Sequence, residues 1–285
     1  MKRSWFLVGL FVVSLVVSCG IPGLDDLLGG GTTTNAVVTN TVTNVVTNGG
    51  GGSGSVAVLV AEYLFDGNAN DSSGNKNDGV LRAPKWYSLP FLTNGRKGIP
   101  QTAYYFPGRE EINVMGPHID CGNGPSITNI QDELTVSLWI KPAVLRTRNL
   151  QIIGRESNPL LGGWGIWINM DGKILFNLSK DGEAVELWNS KVQLTTDRFY
   201  HIVAMYDRKR GVASVYIDNK KQTWENLFYS LTYPLTPNSI VFHEDHLMIG
   251  GFWGCGISYF EGIIDDVRIY NRILTDEEVE ALYRE

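Results

Sequence analysis

Hydrophobic and polar positions divide the chain into three stretches. Trp5 to Val17 is an apolar run interrupted by Ser14, residues 20–55 carry scattered valines among Gly, Thr and Asn, and from Val56 the pattern turns to period two. Leu134, Val136, Leu138 and Ile140 alternate with Thr135, Ser137, Trp139 and Lys141. Trp164, Ile166, Ile168 and Met170 share one strand face, and the turn dipeptide Asp171-Gly172 leads into Ile174, Phe176 and Leu178. Asp181-Gly182 precedes a strand at 185–188, and further strands are predicted at 203–206, 212–217, 247–250 and 263–270. Alternation of this kind buries one face of each strand, which predicts an all-β fold of two antiparallel sheets stacked face to face. Only the tail reads as helix: Thr275 and Glu278 have capping-box spacing, and Val279 and Leu282 supply a short apolar stripe.

The first stretch reads as targeting. Lys2 and Arg3 precede this thirteen-residue run, too short to span a bilayer but suited to a signal peptide. Val16-Val17-Ser18-Cys19 resembles a bacterial lipobox, which implies that Cys19 becomes the lipidated first residue and anchors the chain in a membrane. The alternative is a plain secretory peptide cleaved near Ser18. Gly20 in place of Asp favours the outer membrane or cell surface. Residues 20–55 then form a tether, with Gly29 to Gly31, a Val/Thr/Asn repeat over 37–48 and the glycines of 49–54. As a coil it spans roughly 30–35 Å; the alternative for the repeat is a short strand. The expected organisation is signal peptide 1–19, tether 20–55 and one β domain 56–285.

Several segments of that domain resemble the concanavalin A-like jelly rolls of laminin-G and pentraxin type. They are Tyr63 to Gly67, Asp71 to Asn75, Ala103 to Gly108, Leu134 to Pro142, Tyr200 to Ala204, Val215 to Asp218 and Leu247 to Gly250. The closing stretch Gly262 to Arg272, followed by Leu274, Glu277 and Glu278, is the most specific. Phe199 stands where the family usually has Trp, and Asn219 where it usually has Gly. The resemblance implies adjacent first and last strands and a structural Ca²⁺ held by Asp66, Asn68, Asp71 and Asp265. Hard oxygens on a turn suit that ion, although the loop is not an EF-hand. A polar turn capping its own backbone is the alternative.

Composition narrows the chemistry. The net charge is -6, and only Lys2, Arg3, Asp25 and Asp26 are charged before residue 56, so the domain is acidic and no nucleic-acid partner is expected. Beyond Cys19 the cysteines are Cys121 and Cys255, an even pair in an exported chain, read as a disulfide against two separate buried thiols. His243-Glu244-Asp245-His246 invites a zinc reading, but i,i+3 spacing shares a side only on a helix, and the preceding residues read as extended; His201 reads as a structural histidine. No enzyme is expected. Hydrolases on this scaffold need carboxylates facing one another across a sugar, whereas Glu183 and Glu186 fall on opposite faces of an ideal strand. No Gly-x-Ser-x-Gly elbow occurs. For a ligand site, Trp139 and Trp167 lie off the core register, and Trp188 and Trp253 sit near turns; buried packing is the alternative for each. The resulting expectation is a surface-tethered, non-catalytic binding module for a glycan or a cell-surface protein. An adhesion domain rigidified by calcium comes second and a hydrolase third.

Overall fold

A computed structural model describes residues 59–109, 116–146, 149–155, 163–180, 183–188, 192–196, 198–222, 245–251 and 258–285. The signal segment with Cys19 and the tether lie outside them. The elements run β1 Leu59–Tyr63, β2 Val80–Arg82, β3 Phe91–Thr93, β4 Ala103–Arg109, β5 His118–Asp120, α1 Pro125–Thr128, β6 Glu133–Pro142 and β7 Leu150–Arg155. They continue with β8 Gly163–Ile168, β9 Ile174–Lys180, β10 Glu183–Trp188, β11 Tyr200–Asp207, β12 Val212–Ile217, β13 Lys220–Lys221, β14 Met248–Ile249, β15 Ser258–Tyr270 and α2 Asp276–Arg284.

The strands form two ladders. One runs β3-β4-β15-β6-β11-β12-β13, with β1 following β4 along the same edge of β15. The other runs β10-β9-β8-β7-β14-β5-β2. A two-residue parallel pairing, Ser258 with Leu150 and Tyr259 with Gln151, joins them. Their inward residues meet in one core: Leu134, Val136, Leu138 and Ile140 of β6 and Ile202 and Ala204 of β11 lie with Ile152 of β7, Trp164, Ile166 and Ile168 of β8 and Phe176 of β9. This is the two-sheet sandwich that the alternation predicts. The first and last strands are neighbours, with Tyr63 opposite Val267 and Glu62 opposite Arg268.

Local chemistry sets the details. The β8–β9 hairpin turns over residues 169–173: Asn169 Oδ1 accepts the N–H groups of Asp171 and Lys173, and Gly172 takes φ 71°. Met170 therefore leaves the strand face on which its spacing places it and is 61% exposed in the turn. Between β12 and β13, Asp218 and Asn219 adopt φ 49° and 59°, left-handed values that Asp and Asn tolerate. A bulge in β15 between Asp265 and Arg268 puts Asp266 at φ 45°.

The predicted helix α2 forms with its full capping box: Thr275 accepts the Glu278 N–H, and the Glu278 carboxylate accepts the Thr275 N–H. Arg272 pairs with Glu278 and fixes the approach to the helix. Leu274, Val279 and Leu282 lie on Val203, Met205 and Tyr216, residues that point outward from β11 and β12. Helix α2 thus lies on the outer face of the first ladder, where period two alone predicts solvent. Among the described residues no helix is long and apolar enough to cross a membrane.

Candidate functional site

The tryptophans are placed on the strand faces expected, but they are not free. Trp139 points outward from β6, on a row with His201 and Asp265. Its ring stacks on Tyr283 of α2 at 5.6 Å and 13°, lies 4.9 Å from the His201 ring, and has the Arg96 guanidinium 4.6 Å from its centroid. Both the helix and the turn after β3 occupy the surface a sugar would need. Trp167 also faces outward, yet its row on the second ladder is covered: Gln151, Trp167 and Leu175 are only 1%, 3% and 1% exposed. The expectation of an open platform at Trp139 and Trp167 is therefore corrected. Trp188 ends β10 opposite Leu175; its side chain, and all of Trp253, lie outside the described residues.

The implied calcium ligands do not make a cage. Asp71 Oδ1 accepts the N–H groups of Glu62 and Ser73, and Oδ2 accepts two from Asn77, backbone and side chain. Four donors fill the lone pairs of a carboxylate. Asn68 Oδ1 accepts the Asn70 N–H in an Asx turn of its own. Asp66 is exposed, and Asp265 is 3% exposed beneath the turn after β3, its Oδ2 accepting the Arg96 N–H. Among the described residues no group of three His, Cys, Asp or Glu side chains could hold a metal ion. The donor set does not fit calcium.

Cys121 is a free thiol buried in the core beside the Tyr63 hydroxyl. Burial pushes it well above the usual thiol range. Cys255, the partner expected for a bridge, lies outside the described residues, as does His243. His201 is fully buried: its Nε2 meets Ser137 Oγ at 2.9 Å, while Nδ1 has no hydrogen-bond partner. Burial first, and the nearby Arg96 and Arg268 second, lower its pKa to about 3. It is neutral and structural.

Two recesses open on the domain. One, of about 260 Å³, lies at the junction of the first and last strands and is lined by Asp66, Arg96, Lys97, Asp265, Asp266 and Arg268. Burial, and then Asp266, push Asp265 up to about 6 against the opposing N–H of Arg96. A raised carboxyl in a recess is a reasonable general-acid candidate. Here the backbone of the turn covers it: a Cβ built at Gly95 would lie 2.9 Å from Asp265 Oδ2.

The second recess, of about 330 Å³, gathers three segments remote in sequence: Lys76 to Asp78, the ends of β2 and β5 with Arg82 and Asp120, and His246 before β14. Asp120 is its fixed point. Its Oδ1 accepts the Gly122 N–H at 3.0 Å and meets His246 Nδ1 at 2.8 Å, while its Oδ2 lies 3.9 Å from Arg82 Nε. Burial disfavours the charge, but the Gly122 N–H and His246 outweigh it and hold the carboxyl below its usual range. Behind it, Asn77 donates to Asp71, to the Val60 carbonyl and to Ser126, which locks the loop. Arg82 and His246 side chains are 57% and 44% exposed and form the rim. Trp86, 85% exposed, follows four residues after Arg82, within about 15 Å along the chain. A fixed carboxylate with an under-used oxygen can accept from one hydroxyl, while the flanking guanidinium or imidazole N–H donates to its neighbour. The sequence gives no periodic sign of it, because its members come from strand ends and loops.

The two antiparallel ladders packed face to face define a jelly-roll domain. The chain belongs to the concanavalin A-like lectin/glucanases superfamily, whose family model matches residues 116–280. Among solved structures it is similar to domain 4 of AbnA, an extracellular arabinanase from Geobacillus stearothermophilus, in complex with arabinotriose. Identity is 21%, the TM-score is 0.58, and the match covers 80% of this chain and 98% of that one. It is also similar to the binding domain of Paraclostridial Mosquitocidal Protein 1 (16% identity, TM-score 0.56, 80% and 51% covered). A third is the botulinum neurotoxin DC binding domain in complex with rat synaptotagmin II (14%, 0.55, 80% and 51%). The chain thus spans about half the length of those toxin domains. No curated protein matches.

Proposed function

We propose that the chain is a non-catalytic carbohydrate-binding protein held at the bacterial surface by a lipid on Cys19 and the tether of residues 20–55. The anchor rests on the lipobox-like Val16-Val17-Ser18-Cys19 and the apolar run before it. The binding reading is carried by one observation, the Arg82–Asp120–His246 constellation set in the recess between β2 and β14. Its charged groups are orienting donors and acceptors, and Asp120, held ionised, is unsuited to protonating a leaving group. The similarity to an arabinotriose-bound domain makes neutral oligosaccharides the first ligands to test.

The test is affinity electrophoresis of the full chain in detergent, in gels containing arabinan, xylan, β-glucan or mannan. Retardation in one of them, weakened in Arg82→Ala and His246→Ala with unchanged melting temperature, is the expected result. Wild-type mobility unaffected by every polymer overturns the reading. Exposed Val80, Trp86 and Leu89 favour a protein partner as the second reading; it gains if substitution there, and not at Arg82, removes binding to whole cells.

A further inference from the structure

Among the described residues, one end of the outer face of the first ladder is covered. Helix α2 lies over the outward residues of β11 and β12, and Arg96 with Tyr283 closes over the Trp139 row. One register step away, strand pairing sets Phe91, Tyr105, Ile263 and Lys141 side by side across β3, β4, β15 and β6. Their sequence neighbours Leu92, Tyr104, Phe106, Ile264 and Ile140 turn inward to the core, so parity places all four outward. Phe91 is 51% exposed, and the other three are half-buried. The Phe91 and Tyr105 rings lie 5.2 Å apart, inclined at 31°. Polar groups frame them: Arg146 pairs with Glu261, the Tyr105 hydroxyl lies within hydrogen-bonding reach of Glu261, and the Lys141 ammonium sits 6.0 Å from the Phe199 ring.

Resting on the carbohydrate reading above, we infer that this uncovered strip is a second sugar subsite, in which Phe91 and Tyr105 stack on the C–H face of one ring while Glu261, Arg146 and Lys141 bond its hydroxyls. A sugar ring has one apolar face and a rim of hydroxyls, and the strip has the complementary order, an aromatic centre beside donors and an acceptor. Glu261 is paired with Arg146, which leaves the Lys141 ammonium beside the Phe199 ring as a single net positive charge, and an uncharged ring is the ligand to test first. The strip and the Arg82–Asp120–His246 recess lie on different ladders, so the domain holds two rings independently. Two modest subsites on one domain give avidity for a repeating polymer.

Calorimetric titration of the full chain in detergent with arabinotriose, then gluco-, xylo-, manno- and galactotriose, tests this. Wild type should bind two equivalents of one of them. Phe91→Ala, a change at an exposed edge position, should leave one, with the lost site weakened at least about tenfold, or roughly 1.4 kcal/mol. Arg82→Ala should leave the other. Oxidative footprinting of the wild type gives a readout independent of any variant: Phe91 and Tyr105 should be protected by the same sugar. One equivalent, unchanged in Phe91→Ala and without protection at Tyr105, overturns the second subsite and leaves the recess standing. One equivalent lost in Phe91→Ala but retained in Arg82→Ala supports the strip and overturns the recess. No heat with any sugar overturns both.

Discussion

Replacing Asp265 by Asn separates a domain closed by its own hydrogen bonds from one closed by an ion. Asp265 is 3% exposed under the turn after β3, and burial raises its carboxyl to about 6 from an unperturbed 3.8. The folded state therefore binds this proton more tightly than the unfolded one. The stability this confers is complete below about pH 3.8 and is lost as pH rises through about 6. At 1.36 kcal/mol per pH unit, the gap corresponds to about 3 kcal/mol of cost in keeping Asp265 ionised at neutral pH. Asn keeps an oxygen for the Arg96 N–H and removes the buried charge, at some loss of attraction to the Arg96 side chain. Asp265→Asn should therefore be more stable than wild type at pH 7.5 by about 2–3 kcal/mol, with the difference closing below about pH 4. Urea denaturation of both proteins across pH 3.5–8, with and without chelator, measures it. A bound cation reverses the sign, because it would hold the carboxylate ionised and reward its charge. A variant less stable than wild type at pH 7.5, or a wild-type melt lowered by chelator, refutes the reasoning.

Three further outcomes follow from packing. Thr275→Ala removes half of the α2 capping box and should cost about 1 kcal/mol in urea denaturation; a loss below about 0.3 kcal/mol would mean that α2 contributes little to the fold. Trp167→Ala, at a covered position, should cost roughly 3–5 kcal/mol while leaving glycan affinity unchanged in the folded fraction; selective loss of binding would restore Trp167 as a ligand contact. Cys121 should resist iodoacetamide in the native protein and react in urea, read by peptide mass spectrometry; rapid native labelling contradicts its burial.

What the chain reveals of itself follows the range of the interactions involved. Alternation along β6 and β8 is written in neighbouring residues, so the inward sets of Leu134 to Ile140 and Trp164 to Ile168 are legible, as is the Thr275 cap, whereas the pairing of the strands near Tyr63 and Val267 is implied only by the family resemblance. The same rule sets Trp139 off the core register, and it is. It cannot show that Tyr283 arrives from 144 residues away to cover that ring. Asp71 illustrates the other failure: a carboxylate on a polar turn suits a cation and equally suits four nearby N–H groups, and only coordinates distinguish them. Arg82 and Asp120 close three-residue strands that no periodicity predicts, and His246 drew only the zinc reading. Their convergence depends on β2 and β14 both pairing with β5, a non-local fact with no period in sequence.

Titration of the full chain with neutral trisaccharides, with chelator present throughout and reducing ends assayed after a day, tests most directly whether this domain holds sugars without cleaving them. Saturable binding, of which the equivalent held in the recess needs Arg82 and His246, unaffected by chelator and without release of reducing ends, is the predicted result. Release of new reducing ends, or the absence of binding to every sugar tried, would contradict it.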